Sequence, residues 1–387
     1  MAAPFDLRVP ADVVVGGGAS AQLGEVARRH GIARPLLVTD PFMREHGPTD
    51  ELAGRLEDGG ASVAIFSDVQ ADPTVANVTA AVAALREHDA DGLVAVGGGS
   101  SIDTAKAASV MATNEGGLAD YAGYDLIASA GLPVVAVPTT AGTGSEVTRV
   151  TVITDTGRDV KMMIRDDALL PRAAVVDYLL TVSCPPPLTA HVGVDSLTHA
   201  IEAYVSTQAN AVTDMFALEA ARQIGPNLRR AFHDGSDEPA RAAMMLGATL
   251  AGAAFSNASV CLVHGMSRPI GAHFHLPHGL SNAVLLPAVT RFSVSAAPAR
   301  YAAVARVMGA APPDSSDDDA CRALVEELEA VNSDLSIPGL GELGVERDVF
   351  ESKLEAMAEA AIASGSPAFN PREASAGEIV ELYRQAY

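Results

Sequence analysis

GLVAVGGGSSIDTAKAASVMA, residues 92–112, begins as an unbroken apolar run, turns on three glycines and two serines, and resumes as a stretch of helix formers. A strand buried on both faces reads as such a run, and a helix that follows at once presents free backbone N–H groups at the positive end of its dipole. Gly97, Gly98 and Gly99 leave those N–H groups unobstructed, Ser100 lies on the same turn, and Ser101 offers a hydroxyl or a helix cap. The segment is therefore expected to cradle a pyrophosphate, and the chain to bind a nucleotide.

Similar apolar runs lie on either side: DVVV (12–15), PLLVTD (35–40), ASVAIF (61–66), PVVAVP (133–138) and AAVVD (173–177). Helical patterns such as TVANVTAAVAALREH (74–88) separate them, which predicts a parallel sheet with helices on both faces. Residues 146–166 instead show two alternating runs around Asp155, Thr156 and Gly157, and are read as an antiparallel hairpin appended to that sheet. Past the CPPP run at 184–187 the strand patterns stop. Long helical periodicities replace them over 189–205, 212–232, 238–257, 297–309, 317–332 and 346–363. The fold class expected is thus an α/β dinucleotide-binding domain over residues 1–184 followed by an all-helical, metal-binding domain over 185–387.

The second half carries the metal ligands. In GVDSLTHAIEAY (193–204), Asp195 and His199 are four residues apart and share a helix face, and HGMSRPIGAHFHLPHG (264–279) opens on His264 and closes with His278. One carboxylate and three neutral imidazoles suit Fe2+, Zn2+ or another borderline divalent ion, and such a set usually does chemistry. Glu202, three residues after His199, could support a ligand from behind or be an ordinary helix residue, and His191 and His233 are unassigned.

Composition excludes several classes. A net charge of −22 leaves no basic surface for nucleic acid, and no uncharged apolar run reaches the length that spans a membrane. Three widely spaced cysteines form neither a disulfide framework nor a thiolate metal site, which fits a cytoplasmic location. Lysine occurs only at Lys106, Lys161 and Lys353, so two of the three fall in or near the expected cofactor segments.

In sequence order, VTD (38–40), ADPT (71–74), GGGSSIDTAK (97–106), PTTAGTGSE (138–146), the Asp195/His199 helix and 264–279 resemble the iron-containing (group III) alcohol dehydrogenases, which share the dehydroquinate synthase-like fold. The resemblance spans nearly the whole chain. It implies NAD and a divalent metal, usually Fe2+, held by Asp195, His199, His264 and His278, facing the nucleotide across an interdomain cleft. It also places Thr139, Thr140, Thr143 and Ser145 around the cofactor, Lys161 near the nicotinamide ribose, and Asp72 where many relatives have Asn. Asp40 would accept hydrogen bonds from the adenosine ribose, favouring NAD over NADP; locally it reads equally well as a helix cap ahead of Pro41.

The implied reaction passes hydride between the carbon of a small alcohol or aldehyde and nicotinamide C4 while the metal polarises the substrate oxygen. Where much of the family has a His four residues after the third ligand, this chain has Arg268. Arginine cannot carry a proton near neutrality, so His273, His275, the cofactor ribose or water must do so. Arg268 could instead bind an anionic group of the substrate, or pair with a local carboxylate. A hydroxyacid–oxoacid transhydrogenase and a glycerol dehydrogenase-like polyol oxidoreductase are the alternatives within the fold. A homodimer or larger homo-oligomer is expected.

Overall fold

The computed structural model describes residues 4–158 and 160–387. Two compact units form among the described residues: Leu7–Ser183, and Cys184–Tyr387 together with residues 4–6. That short leading segment therefore groups apart from the 1–184 domain in which it was expected.

In the first unit, β1 (Asp12–Val15), β2 (Pro35–Val38), β3 (Ala64–Phe66), β4 (Gly92–Gly97), β6 (Val134–Pro138) and β9 (Ala173–Val176) make one sheet in the order β1-β9-β6-β4-β2-β3. Every pairing in it is parallel. The pleat divides its side chains between two cores. Leu36, Val38, Leu93, Ala95, Val134 and Ala136 pack with residues of α4 (Val75–Glu87) and α5 (Gly99–Met111). Leu37, Val94, Val96, Val135 and Val137 pack with α1 (Leu23–Arg29) and α3 (Thr49–Asp58). Covered on both faces, the central strands need the continuous apolar runs that identify them in the sequence.

The chain runs from β2 outward to β3 and then returns to place β4 on the other side of β2. Strand order thus reverses between β2 and β4, and the carboxyl ends of strands at such a reversal form the crevice where α/β sheets bind ligands. Asp40, which precedes α2 (Pro41–His46), follows β2, and the glycine turn follows β4.

The hairpin departs from expectation. β7 (Val150–Asp155) and β8 (Val160–Arg165) are antiparallel, Thr154 opposite Lys161, but with β5 (Gly123–Tyr124) they make a separate three-stranded sheet in the order β5-β8-β7. Their alternation reflects one covered face: Ile153, Met162 and Ile164 enter the core shared with α5, while Val152 and Val160 stay exposed.

The second unit is helical: α6 (Pro186–Val205), α7 (Ala211–His233), α8 (Glu238–Ala258), α9 (Leu262–Phe274), α10 (His278–Ser293), α11 (Pro298–Met308), α12 (Asp317–Asp334), α13 (Arg347–Ala363) and α14 (Ala376–Ala386). Pro186, in the first turn of α6, has the φ that a helix start requires and lacks an N–H that would be unpaired there. α9, α10 and α14 are additions to the periodic segments read from sequence; internal prolines at Pro269 and Pro287 obscured the first two. No single helix among the described residues is long and apolar enough to cross a membrane.

Candidate metal centre and cofactor loop

On α6, Asp195 and His199 project from one face, with Nε2 of His199 3.9 Å from Oδ1 of Asp195. His264, in the first turn of α9, brings its Nε2 to 3.6 Å from the same oxygen, and His278, the first residue of α10, brings its Nε2 to 3.9 Å. Side-chain donor atoms of Asp195, His199 and His264 all lie within 4.8 Å of one another. These three residues are buried, while the His278 side chain is 42% exposed and marks the open side of the cluster. Gly279 permits the approach of α10: a Cβ there would stand 2.4 Å from the carbonyl oxygen of His191 on α6.

Electrostatics in the cluster favour a cation. Burial opposes ionisation of Asp195, yet the imidazoles of His199, His278 and His264 hold its carboxyl far below the ordinary range. Burial likewise acts against a charged His264, but the carboxylates of Glu202 and Asp195 raise its imidazole above the usual value. Positive charge is thus wanted at this point, and a divalent ion can supply it in place of a proton. One carboxylate and two imidazoles within this span, with His278 3.9 Å from Oδ1 of Asp195 on the exposed side, fit Fe2+ or Zn2+.

Glu202 does more than its spacing suggested. Its carboxylate accepts the N–H groups of Cys261 (2.9 Å) and Val263 (2.6 Å), which are donors at the start of α9, and lies 2.6 Å from Nδ1 of His264. The proton on Nδ1 is thereby committed to Glu202, leaving the Nε2 lone pair for a metal. Glu202→Gln offers a single acceptor to these three donors. We expect it to weaken Zn2+ binding by about 10- to 100-fold, read by chelator competition; unchanged affinity would mean that α9 alone orients His264.

Arg268 lies one helical turn after His264 on α9 and is partly buried. His273 is exposed in the last turn, and His275 ends the helix with φ +56°, an unusual backbone conformation outside glycine. The structure thus gives His275 a helix-ending place.

In the first unit, Gly98 begins α5 with no side-chain cap, so the first N–H groups of this 13-residue helix stay available. Gly97 has φ +148°, and a Cβ on it would meet Oγ of Ser101 at 2.5 Å and Oδ2 of Asp40 at 3.4 Å. The Ser101 hydroxyl is buried without a hydrogen-bond partner beneath this turn, and Gly98 rather than Ser101 holds the capping position. A Cβ on Gly99 would lie 2.9 Å from Cγ2 of Thr143, and one on Gly98 3.5 Å from Oγ1 of Thr140, so the glycine and threonine loops adjoin. Thr139 donates its N–H to the carbonyl of Gly97 at 3.0 Å. Asp40 caps α2 by accepting the N–H of Met43 with one oxygen, the local reading the sequence offered, and turns the other toward Gly97. Free N–H groups, a bare hydroxyl and a concave turn fit a pyrophosphate.

Ser145, expected beside the cofactor, is engaged within the protein. Its hydroxyl donates to Asp103 (2.6 Å) and accepts from Lys106 (2.8 Å), which leaves little hydrogen-bonding capacity for a ligand. Lys106 is fully buried and also donates to Oγ1 of Thr148 and the carbonyl of Val150, pinning the loop to the second sheet. Lys161 pairs with Asp72 at 2.7 Å, and Asp72 has φ +52°.

Burial pushes the Lys106 amine down to about 8, despite the attraction of Asp103 and Glu146. Unfolded lysine titrates near 10.4, so between these values the unfolded chain binds the extra proton and stability rises with pH. Lys106→Met should remove that rise, measured as the change in unfolding midpoint between about pH 8 and about pH 10. A wild-type slope retained in the variant would assign it to other groups.

Residues 10–178 match the family described as iron-containing alcohol dehydrogenase, and residues 189–387 match the C-terminal domain of the Fe-containing alcohol dehydrogenase family. The chain belongs to the iron-containing alcohol dehydrogenases. It is similar to a 1,3-propanediol oxidoreductase of known structure, with 40% identity, complete coverage of both chains and a TM-score of 0.96. An NAD-dependent methanol dehydrogenase from Bacillus methanolicus is 38% identical, with 98% of each chain covered. A sulfoacetaldehyde reductase from Bifidobacterium kashiwanohense, solved with NAD+, is 28% identical over 100% of this chain and 99% of that one, with a TM-score of 0.88. As an iron-containing alcohol dehydrogenase the chain is an oxidoreductase with the family's α/β and helical halves.

Asn282 escaped the sequence reading of this alcohol dehydrogenase. It is wholly buried one turn after His278, against the donor atoms of the metal cluster. Its i+4 spacing from His278 was the available signal, and α10 had to be recognised as a helix before it could be used.

Proposed function

We propose that this alcohol dehydrogenase interconverts small primary alcohols and aldehydes with NAD, using a divalent ion, Fe2+ first and Zn2+ second, held by Asp195, His199, His264 and His278. The observation that carries the reading is the convergence of His199, His264 and His278 on Oδ1 of Asp195. A metal there supplies Lewis acidity to the substrate oxygen, and NAD supplies the hydride acceptor. The protein's own residues keep the His264 lone pair free through Glu202, hold the glycine turn open for the pyrophosphate, and present Asp40 to the ribose. Lys161 and Asp72 are assigned to the nicotinamide side, and His273 and His275 to proton exchange with water. The enzyme is expected to act in the cytoplasm as a homodimer or larger homo-oligomer.

The test is metal analysis of anaerobically purified protein, followed by NADH oxidation with an aldehyde panel. No turnover with metal-replete protein removes the assignment. Turnover only when an oxoacid re-oxidises retained cofactor would favour a transhydrogenase instead.

Arg268 favours a narrower reading within this one. A guanidinium one turn from His264 suits an aldehyde bearing a carboxylate or sulfonate, and the similarity to a sulfoacetaldehyde reductase supports that class. Arg268→His should lower kcat/KM for anionic aldehydes by roughly 10- to 100-fold relative to neutral ones, the scale of a charged hydrogen bond. An unchanged ratio between the two classes rejects it.

A further inference from the structure

The His199 imidazole is the middle ring of a stack of three. Phe255, on α8, lies against it with ring centroids 4.2 Å apart and planes 21° apart, and His264 lies against it at 4.5 Å and 22°. Two rings that near and that parallel cannot share one face of an imidazole, so Phe255 and His264 cover opposite faces. The junction between α8 and α9 makes this possible. Ser259 ends α8 by donating its N–H to the carbonyl of Phe255 at 2.8 Å, and its φ of +67° and ψ of 164° fall in a region that is almost confined to glycine. The two helices consequently meet at 102°, which brings the last turn of one and the first turn of the other onto the same α6 side chain.

We infer that Phe255 is a positioning residue of the metal centre: its ring and that of His264 clamp the His199 imidazole in the plane that turns Nε2 toward Asp195. The inference rests on the proposed metal role of His199. The last side-chain torsion of histidine has broad wells, so the backbone of α6 does not by itself fix the ring plane. A nitrogen ligand binds along a lone pair lying in that plane, and a ring that swings out of it loses the metal. Glu202 orients His264 by a hydrogen bond, whereas His199 is held by flat faces. Stacking acts on the ring as a whole, whichever nitrogen carries a proton. Phe255 is partly exposed while both imidazoles are buried, so it also closes the outer face of the stack.

Phe255→Leu and Phe255→Tyr, made in the full-length protein, separate a flat clamp from apolar filling. With Zn2+ as probe and chelator competition as readout, the leucine variant should bind about 2- to 10-fold more weakly, the factor corresponding to one aromatic pair, and the tyrosine variant should bind as wild type does. Loaded with Co2+, whose visible absorption follows ligand geometry, the leucine variant should show altered bands and the tyrosine variant the wild-type bands. Wild-type affinity and bands in the leucine variant overturn the clamp, as does a tyrosine variant that loses as much as leucine. If the leucine variant does not fold, NMR of histidine-labelled, Zn2+-loaded wild type decides: ring currents should move the carbon-bound ring protons of His199 upfield, and unshifted resonances reject the stack. Failure of the metal assignment itself is distinguishable, because wild type would then bind no Zn2+ at these residues, whatever stands at 255.

Discussion

Asp195→Ala is expected to leave a folded protein that purifies with under about a tenth of the wild-type metal and loses about a thousandfold or more in kcat/KM. Asp195 is the one carboxylate of the ligand set, and its Oδ1 is the common neighbour of His199, His264, His278 and the Asn282 amide. Without it, three imidazoles face one another with no carboxylate among the ligands to balance a divalent cation, and Glu202 acts only from behind His264. Lewis acidity worth several kcal/mol goes with the ion, and each ~1.4 kcal/mol is a factor of ten in rate. Metal content and steady-state kinetics check this together. A variant that retains stoichiometric metal and near-normal turnover would place the ion elsewhere.

Gly97→Ala should be the most damaging single change in the first unit. At φ +148° any side chain is strained, at a cost of about 1–3 kcal/mol. The new Cβ would also stand 2.5 Å from Oγ and 2.8 Å from Cβ of Ser101. Overpacking of that kind costs roughly another 1–3 kcal/mol. Together these should lower the melting temperature and weaken NAD binding by about 100-fold or more. Gly98→Ala is the control, since its Cβ meets nothing nearer than 3.5 Å. It should melt as wild type does yet bind NAD about tenfold more weakly, because only the ligand would meet the added methyl. Calorimetric titration with NAD separates the two, and normal NAD affinity in both variants would move the pyrophosphate away from this turn.

These expectations trace to features of unequal visibility in the sequence. The parallel sheet was legible because strands covered on both faces must be apolar throughout, as in GLVAV and PVVAV. Asp195 and His199 were legible because four residues return a helix to the same face. The glycine turn was legible because only glycine allows such a close backbone approach.

What sequence alone determined, then, is everything with a local period: the strands of the main sheet, most of the helices, the i and i+4 ligand pair, and the residue types able to hold a divalent ion. Tertiary structure decided which distant groups meet. It moved β7 and β8 to their own sheet, joined Ser145 to Asp103 and Lys106, placed Glu202 behind His264, and set Asn282 against the cluster. The physical reason is that a hydrogen-bond partner 62 or 87 residues away leaves no periodic trace in the chain; it is selected only when packing leaves a buried donor or acceptor one neighbour to satisfy it.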